Sequence, residues 1–147
     1  MSSIVLVLMT MFSTLNVTNS STTLEASTTL EVNVTNIKTI KGYIVISIYN
    51  DAEKFPKDDG YYKKIKIKVK KTSVKYTFKD LPKGDYAIAL LHDVNSDNKC
   101  NFNFFGIPKE GFGFSKNFKP RFSAPTFNKV KINLKSKHKE TIDLIHY

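Results

Sequence analysis

Apolar and polar side chains alternate along much of the chain, beginning with Leu30, Val32 and Val34 between polar neighbours. A period of two puts successive side chains on opposite faces of an extended backbone, so the pattern predicts half-buried strands. The alternation returns at Ile65, Ile67 and Val69, and at Val74, Tyr76 and Phe78. It returns again at Val130, Ile132 and Leu134, and at Ile142, Leu144 and His146. Two runs are more continuously apolar. Ile40–Asn50, rich in β-branched residues, and Tyr86–Leu91 read as strands covered on both faces. Asp80-Leu-Pro-Lys-Gly-Asp85 is a turn of the Pro/Gly type. After residue 30 no segment sustains a 3.6-residue period with caps. About seven strands joined mostly by short turns predict an all-β fold, a single antiparallel β-sandwich of transthyretin-like or immunoglobulin-like kind.

Lys64, Lys66, Lys68 and Lys70 interleave with Ile65, Ile67 and Val69. They are expected to share one solvated face, a device that keeps an edge strand from pairing with a neighbour. Upstream of the strands, Ile4–Leu15 is uncharged and mostly apolar, of a length that suits a signal-peptide core and is too short to span a bilayer. The expected organisation is a signal peptide over 1–20, a polar spacer over 21–29 and the sandwich over 30–147, with a secreted or periplasmic location. In and around the spacer Ser21-Thr-Thr-Leu-Glu25 recurs at Ser27–Glu31, a local duplication too short for a solenoid repeat.

Composition narrows the partners. The 147 residues carry a formal net charge of +10, which favours anionic surfaces. Of the 23 basic residues only Arg121 is arginine, the side chain that reads bases and phosphates bidentately, so specific nucleic-acid recognition is not expected. A single cysteine, Cys100, excludes an intramolecular disulfide and leaves stability to the core. The chain is expected to be a monomer and not an integral membrane protein.

Between Leu91 and Phe127 no strand or helix is legible, yet eight of the eleven phenylalanines fall there: Phe102, Phe104, Phe105, Phe112, Phe114, Phe118, Phe122 and Phe127. A disordered linker is poor in aromatics. This Phe-rich loop is therefore expected to pack on the sandwich or to offer an aromatic binding surface. At its head stands His92-Asp-Val-Asn-Ser-Asp-Asn-Lys-Cys-Asn101. Asp93, Asn95, Asp97, Lys99 (through its carbonyl) and Asn101 occupy alternate positions of a calcium-loop pattern. Asn98 stands where such a loop has Gly, and Phe104 where it has the bidentate Glu, so millimolar Ca2+ affinity at best is expected. The alternative is an Asx turn whose side chains bond nearby amides. Glu110 is expected to bond backbone amides or to pair with Arg121, and Phe112 and Phe114 to face one side across Gly113.

Several runs together carry a resemblance: His92-Asp93-x-Asn95-x-Asp97-x-Lys99, Gly106-Ile-Pro-Lys-Glu-Gly-Phe-Gly-Phe-Ser115, Arg121-Phe122, Pro125-x-Phe127, Phe55-Pro56 and Leu81-Pro-x-Gly-x-Tyr86. From about Leu30 to Leu144 the chain resembles a bacterial secreted family known as a domain of unknown function, DUF2141. The resemblance implies an exported β-sandwich similar to transthyretin-like or carboxypeptidase-regulatory-like modules, and brings no activity. Where the family has Gly and Asp, this chain has Asn98 and Asn101.

Catalytic signatures are wanting: no nucleophile-elbow serine, no His-x-x-x-His and no Cys-x-x-Cys spacing is found. His92 beside Asp93 reads as a strand-end residue more readily than as a proton-transfer pair. The expected function is an exported, non-catalytic envelope or periplasmic module with a binding or structural role. One alternative is a carbohydrate or small-ligand binder using residues 102–127. Another is a binder of an anionic envelope component through the Lys63–Lys71 strand.

Overall fold

The computed structural model describes residues 28–104, 106–121 and 123–147, so the expected signal peptide, most of the spacer, Phe105 and Phe122 lie outside the described residues. Among the described residues eight strands follow in order: β1 (Thr28–Thr35), β2 (Tyr43–Tyr49), β3 (Lys63–Lys68), β4 (Val74–Leu81), β5 (Gly84–Asp93), β6 (Phe112–Phe114), β7 (Ile132–Leu134) and β8 (His138–Asp143). One helical turn, α1 (Phe127–Val130), precedes β7. The strands form two sheets, β4-β1-β8 and β3-β2-β5-β6, with β7 pairing the start of β5.

Alternation explains why the sheets stack. Leu30, Val32 and Val34 of β1, Ile44, Ile46 and Ile48 of β2, and Ile88 and Leu90 of β5 all enter one buried core. Val69, Phe78 and Tyr86 join them there, and Ile65 and Ile67 pack at its margin. Burying each such side chain contributes about 1.5–3 kcal/mol, so the apolar stripes leave the two faces no better place than against each other.

Three features depart from the sequence pattern. First, β8 pairs β1 in parallel, Leu30 with His138 through Thr35 with Asp143, whereas an antiparallel sandwich is expected. The connection is possible because β8 arrives after β7 has run along the other sheet. Second, the last strand lies earlier than Ile142, Leu144 and His146 suggest. Ile142 and Leu144 do face the core, but beyond Asp143 the chain leaves β1 and crosses to the other sheet. There Ile145 exchanges two backbone hydrogen bonds with Phe112, at 3.1 and 2.7 Å. Third, the Phe-rich loop contains β6, three residues long and too short to show a period.

Ile40 is 58% exposed, and β2 begins only at Tyr43. The entry requires Gly42: its φ is +70°, and a Cβ there would stand 2.1 Å from the Asp93 carbonyl oxygen. Among the described residues no helix is long and apolar enough to cross a membrane.

Candidate functional site

The five-stranded sheet has a second face. Val45, Ser47 and Tyr49 of β2, Ala87, Ala89 and Leu91 of β5, and Phe112 and Phe114 of β6 occupy positions alternate to the core residues and therefore point away from the sandwich interior. Part of that face is closed by the chain after β6. Tyr49, Phe55, Ala87, Phe112, Phe114, Phe127 and Val130 form a second buried cluster. Its rings meet edge to face, Phe55 lying 5.1 Å from Tyr49 and 6.1 Å from both Phe114 and Phe127. The buried Ser115 hydroxyl stitches the cover to the sheet, accepting from the Ile88 amide (3.0 Å) and donating to the Val130 carbonyl (2.7 Å). Phe112, Phe114 and Phe127 are thus anchors of packing. Phe102 and Phe104, by contrast, are 55% and 97% exposed.

The rest of the outer face is left open as a groove of about 1270 Å³. Its floor is Val45, Ser47, Ala89 and Leu91, with Phe112 and Phe114 beside them. Tyr49, Pro56 and Tyr61 stand along it, as do Ile107, Pro108, Pro120 and Tyr147. Small-molecule pockets commonly run from about 300 to 1,000 Å³, so this is an open trough for an elongated or sizeable ligand. It forms because Ser47 and Ala89 face each other across the β2–β5 pair and are too small to fill the space above them. Lys57, Lys64, Lys66, Lys99 and Arg121 line it, against one lining carboxylate, Asp58.

Lys66 differs from the other four. Its ammonium lies 2.9 Å from Asp93 Oδ2, also donates to Asn98 Oδ1, and sits 4.4 Å over the Tyr43 ring. Asp93 is fully buried. The expected row of four solvated lysines is therefore broken: a buried carboxylate needs a counter-charge, and Lys66, on the strand across β2, is the cation in reach.

The Asp93–Asn101 segment closes on itself. Asp93 Oδ1 accepts from the Asp97 amide (3.1 Å) and Oδ2 from the Asn98 amide (3.2 Å). Asn95 Oδ1 also accepts from the Asp97 amide, and Asp97 Oδ1 from the Lys99 amide. Asp97 Oδ2 receives the side-chain amides of Asn95 (3.0 Å) and Asn101 (2.9 Å). These bonds, that of Asn101 foremost, hold the Asp97 carboxyl below its ordinary pKa. Ser96 and Asn98 take left-handed φ values of 66° and 62°, Asn98 doing what Gly does in a calcium loop. Among the described residues no group of three or more His, Cys, Asp or Glu side chains is placed to hold a metal. The donors face the turn's own amides and one carboxylate faces an ammonium. This arrangement does not fit a divalent cation.

Glu110, also buried, accepts from the Val94 amide (2.9 Å) and the Asn101 amide (3.5 Å), tying the far end of the loop to its start. It makes no ion pair with Arg121, which is exposed on the groove. His92 is buried on the core side of β5, its Nε2 2.9 Å from the Lys41 carbonyl oxygen. Cys100 lines the groove half-buried, and burial, with Glu110 and Asp58 adding, pushes its thiol pKa up.

The structure thus gathers Phe112, Phe114, Arg121 and Lys99 around the groove, while Asp93, Asn95, Asp97, Asn101 and Glu110 build the loop that walls one end. His92 belongs to neither. The floor residues Val45, Ser47, Ala89 and Leu91 escaped sequence reasoning. Their signal was present: runs covered on both faces announce a second surface, here only partly covered.

A comparison with the curated proteins gave no match, and neither did one with the solved structures. A family model does match, over residues 32–142, described as an uncharacterized protein conserved in bacteria, DUF2141. The chain belongs to that family.

Proposed function

We propose that this member of the family is an exported, non-catalytic binding module whose site is the groove on the outer face of the β3-β2-β5-β6 sheet. The groove itself carries the proposal: an apolar floor flanked by tyrosine, phenylalanine and proline suits the body of an organic ligand. Binding rather than catalysis is favoured because the buried acids nearby, Asp93 and Glu110, already give their oxygens to backbone amides and to Lys66. Export rests on the apolar run Ile4–Leu15. The anionic-surface alternative through Lys63–Lys71 is weakened: Lys66 turns to Asp93, and Lys63 donates to the Lys79 carbonyl.

The neutral fluorophore N-phenyl-1-naphthylamine tests the groove. Its emission rises on transfer from water to an apolar site, and the protein is expected to raise it saturably. Ala89→Leu puts a larger side chain on the half-buried floor and is expected to abolish the rise with little change in melting temperature. No enhancement, or enhancement indifferent to Ala89→Leu, overturns the assignment.

A further inference from the structure

The groove's lining is divided by depth. Its floor is Val45, Ala89 and Leu91, with Ser47 the one hydroxyl, and that side chain is 7% exposed. Such a floor cannot satisfy the many hydroxyls of a sugar, and burying them unpaired is costly. The charged residues stand at the opening instead. Lys57, Lys64, Lys99 and Arg121 are all exposed, and none makes an ion pair among the described residues. Lys64 is held 5.1 Å from the Tyr61 ring, at the boundary between aromatic wall and water. Lys66, the remaining cation, is neutralised by Asp93, so the surplus positive charge belongs to the rim.

From this we infer that the groove takes a single-chain anionic amphiphile, its apolar chain along the Val45–Leu91 floor and its anionic head among Lys64, Lys99 and Arg121. The inference rests on the groove being the binding site and adds the class of ligand. Sequestering the chain removes apolar surface from water, while the head keeps its hydration and gains cations at the rim. A neutral chain of the same length gains only the first of these. A cationic head is repelled.

Decanoate and decan-1-ol share a chain length and differ in the charge of the head, and both are soluble enough to displace N-phenyl-1-naphthylamine from the full chain. At low salt decanoate is expected to displace the dye at roughly tenfold lower concentration than decanol, about 1.4 kcal/mol of preference. The preference is expected to shrink as salt shortens the Debye length from about 30 Å at 0.01 M to about 8 Å at 0.15 M. In the Lys64→Gln/Arg121→Gln double variant, both changes being on exposed side chains, the decanoate-to-decanol ratio is expected to fall towards one. Decyl phosphate in place of decanoate separates a carboxylate-selective rim from one that takes any anion. Equal displacement by decanoate and decanol, or a preference untouched by the double variant, overturns the anionic assignment and leaves the groove standing. Dye that binds but yields to neither compound overturns the amphiphile. A protein that never binds the dye fails at the groove itself.

Discussion

Ile88 and Ala89 are neighbours on β5 and belong to different worlds. Ile88 points into the space between the sheets, where every direction is filled by aliphatic side chains from both layers. Ala89 points the other way, half-buried, onto a face that one stretch of chain covers and another leaves open. The inner face is assembled from regular strands whose alternation brings it together without special geometry. The outer face depends on individual fastenings: the Ser115 hydroxyl, the aromatic contacts of Phe55, and the Lys66–Asp93 pair. A face whose cover is pinned at points has room for a ligand between the pins. A face covered by a whole sheet does not.

The largest expected effect is on the inner side. Ile88→Ala should cost about 2–5 kcal/mol in a denaturant titration, whereas Ala89→Leu should change stability by less than about 1 kcal/mol. Comparable losses at the two positions would erase the distinction between faces.

Next comes Lys66→Met. It leaves the buried Asp93 carboxylate with amides alone. A fully buried pair broken in this way loses about 3–5 kcal/mol. Because the Lys66 side chain is 31% exposed, a smaller loss of about 2 kcal/mol is expected. Lys68→Met, on the same strand, should be nearly silent. Equal effects would mean that the lysines form one solvated row after all.

The smallest effect is electrostatic and confined to the loop. The Asp97 carboxyl lies below its ordinary value of 3.8 in the folded protein. A lowered folded pKa favours folding above the unfolded value, and that contribution is lost as pH falls through the folded one. An NMR titration of the Asp97 carboxyl carbon should therefore show a midpoint below 3.8. A midpoint at or above it would show that the side chains of Asn101 and Asn95 are not held on this carboxylate.

Much of the inner face was legible in the sequence, because Leu30/Val32/Val34 and Val74/Phe78 announce their faces by period alone. Ile46, Val69, Phe78, Tyr86, Ile88 and Leu90 are expected in the core by their patterns, and all are buried there. The outer site was legible only in pieces. The Asx pattern of Asp93, Asn95 and Asp97 pointed to a turn with converging oxygens. What they converge on depends on Lys66, 27 positions away, which local spacing does not encode. Phe112 and Phe114 were visible as aromatics, but whether they anchor or protrude is decided by Phe55 and Phe127. The groove floor was invisible for another reason: Ser47 and Ala89 matter by being small, and small residues carry no pattern of their own. The parallel partner of β1 was equally hidden, since alternation specifies faces and says nothing of neighbours.

That parallel pairing sets an order in time. Asn36 donates to the Leu144 carbonyl across 108 positions, and β1 has only β4 beside it until residues 138–143 arrive. Closing so long a loop adds little entropy beyond a shorter one, about 0.6 kcal/mol per doubling, but it cannot happen early. The partners must first find each other through a largely disordered chain, and topologies of this kind fold slowly. A chain emerging N-terminus first, from a ribosome or through a pore, therefore remains threadable for most of its length. It locks only when β8 slides in beside the strand that began it.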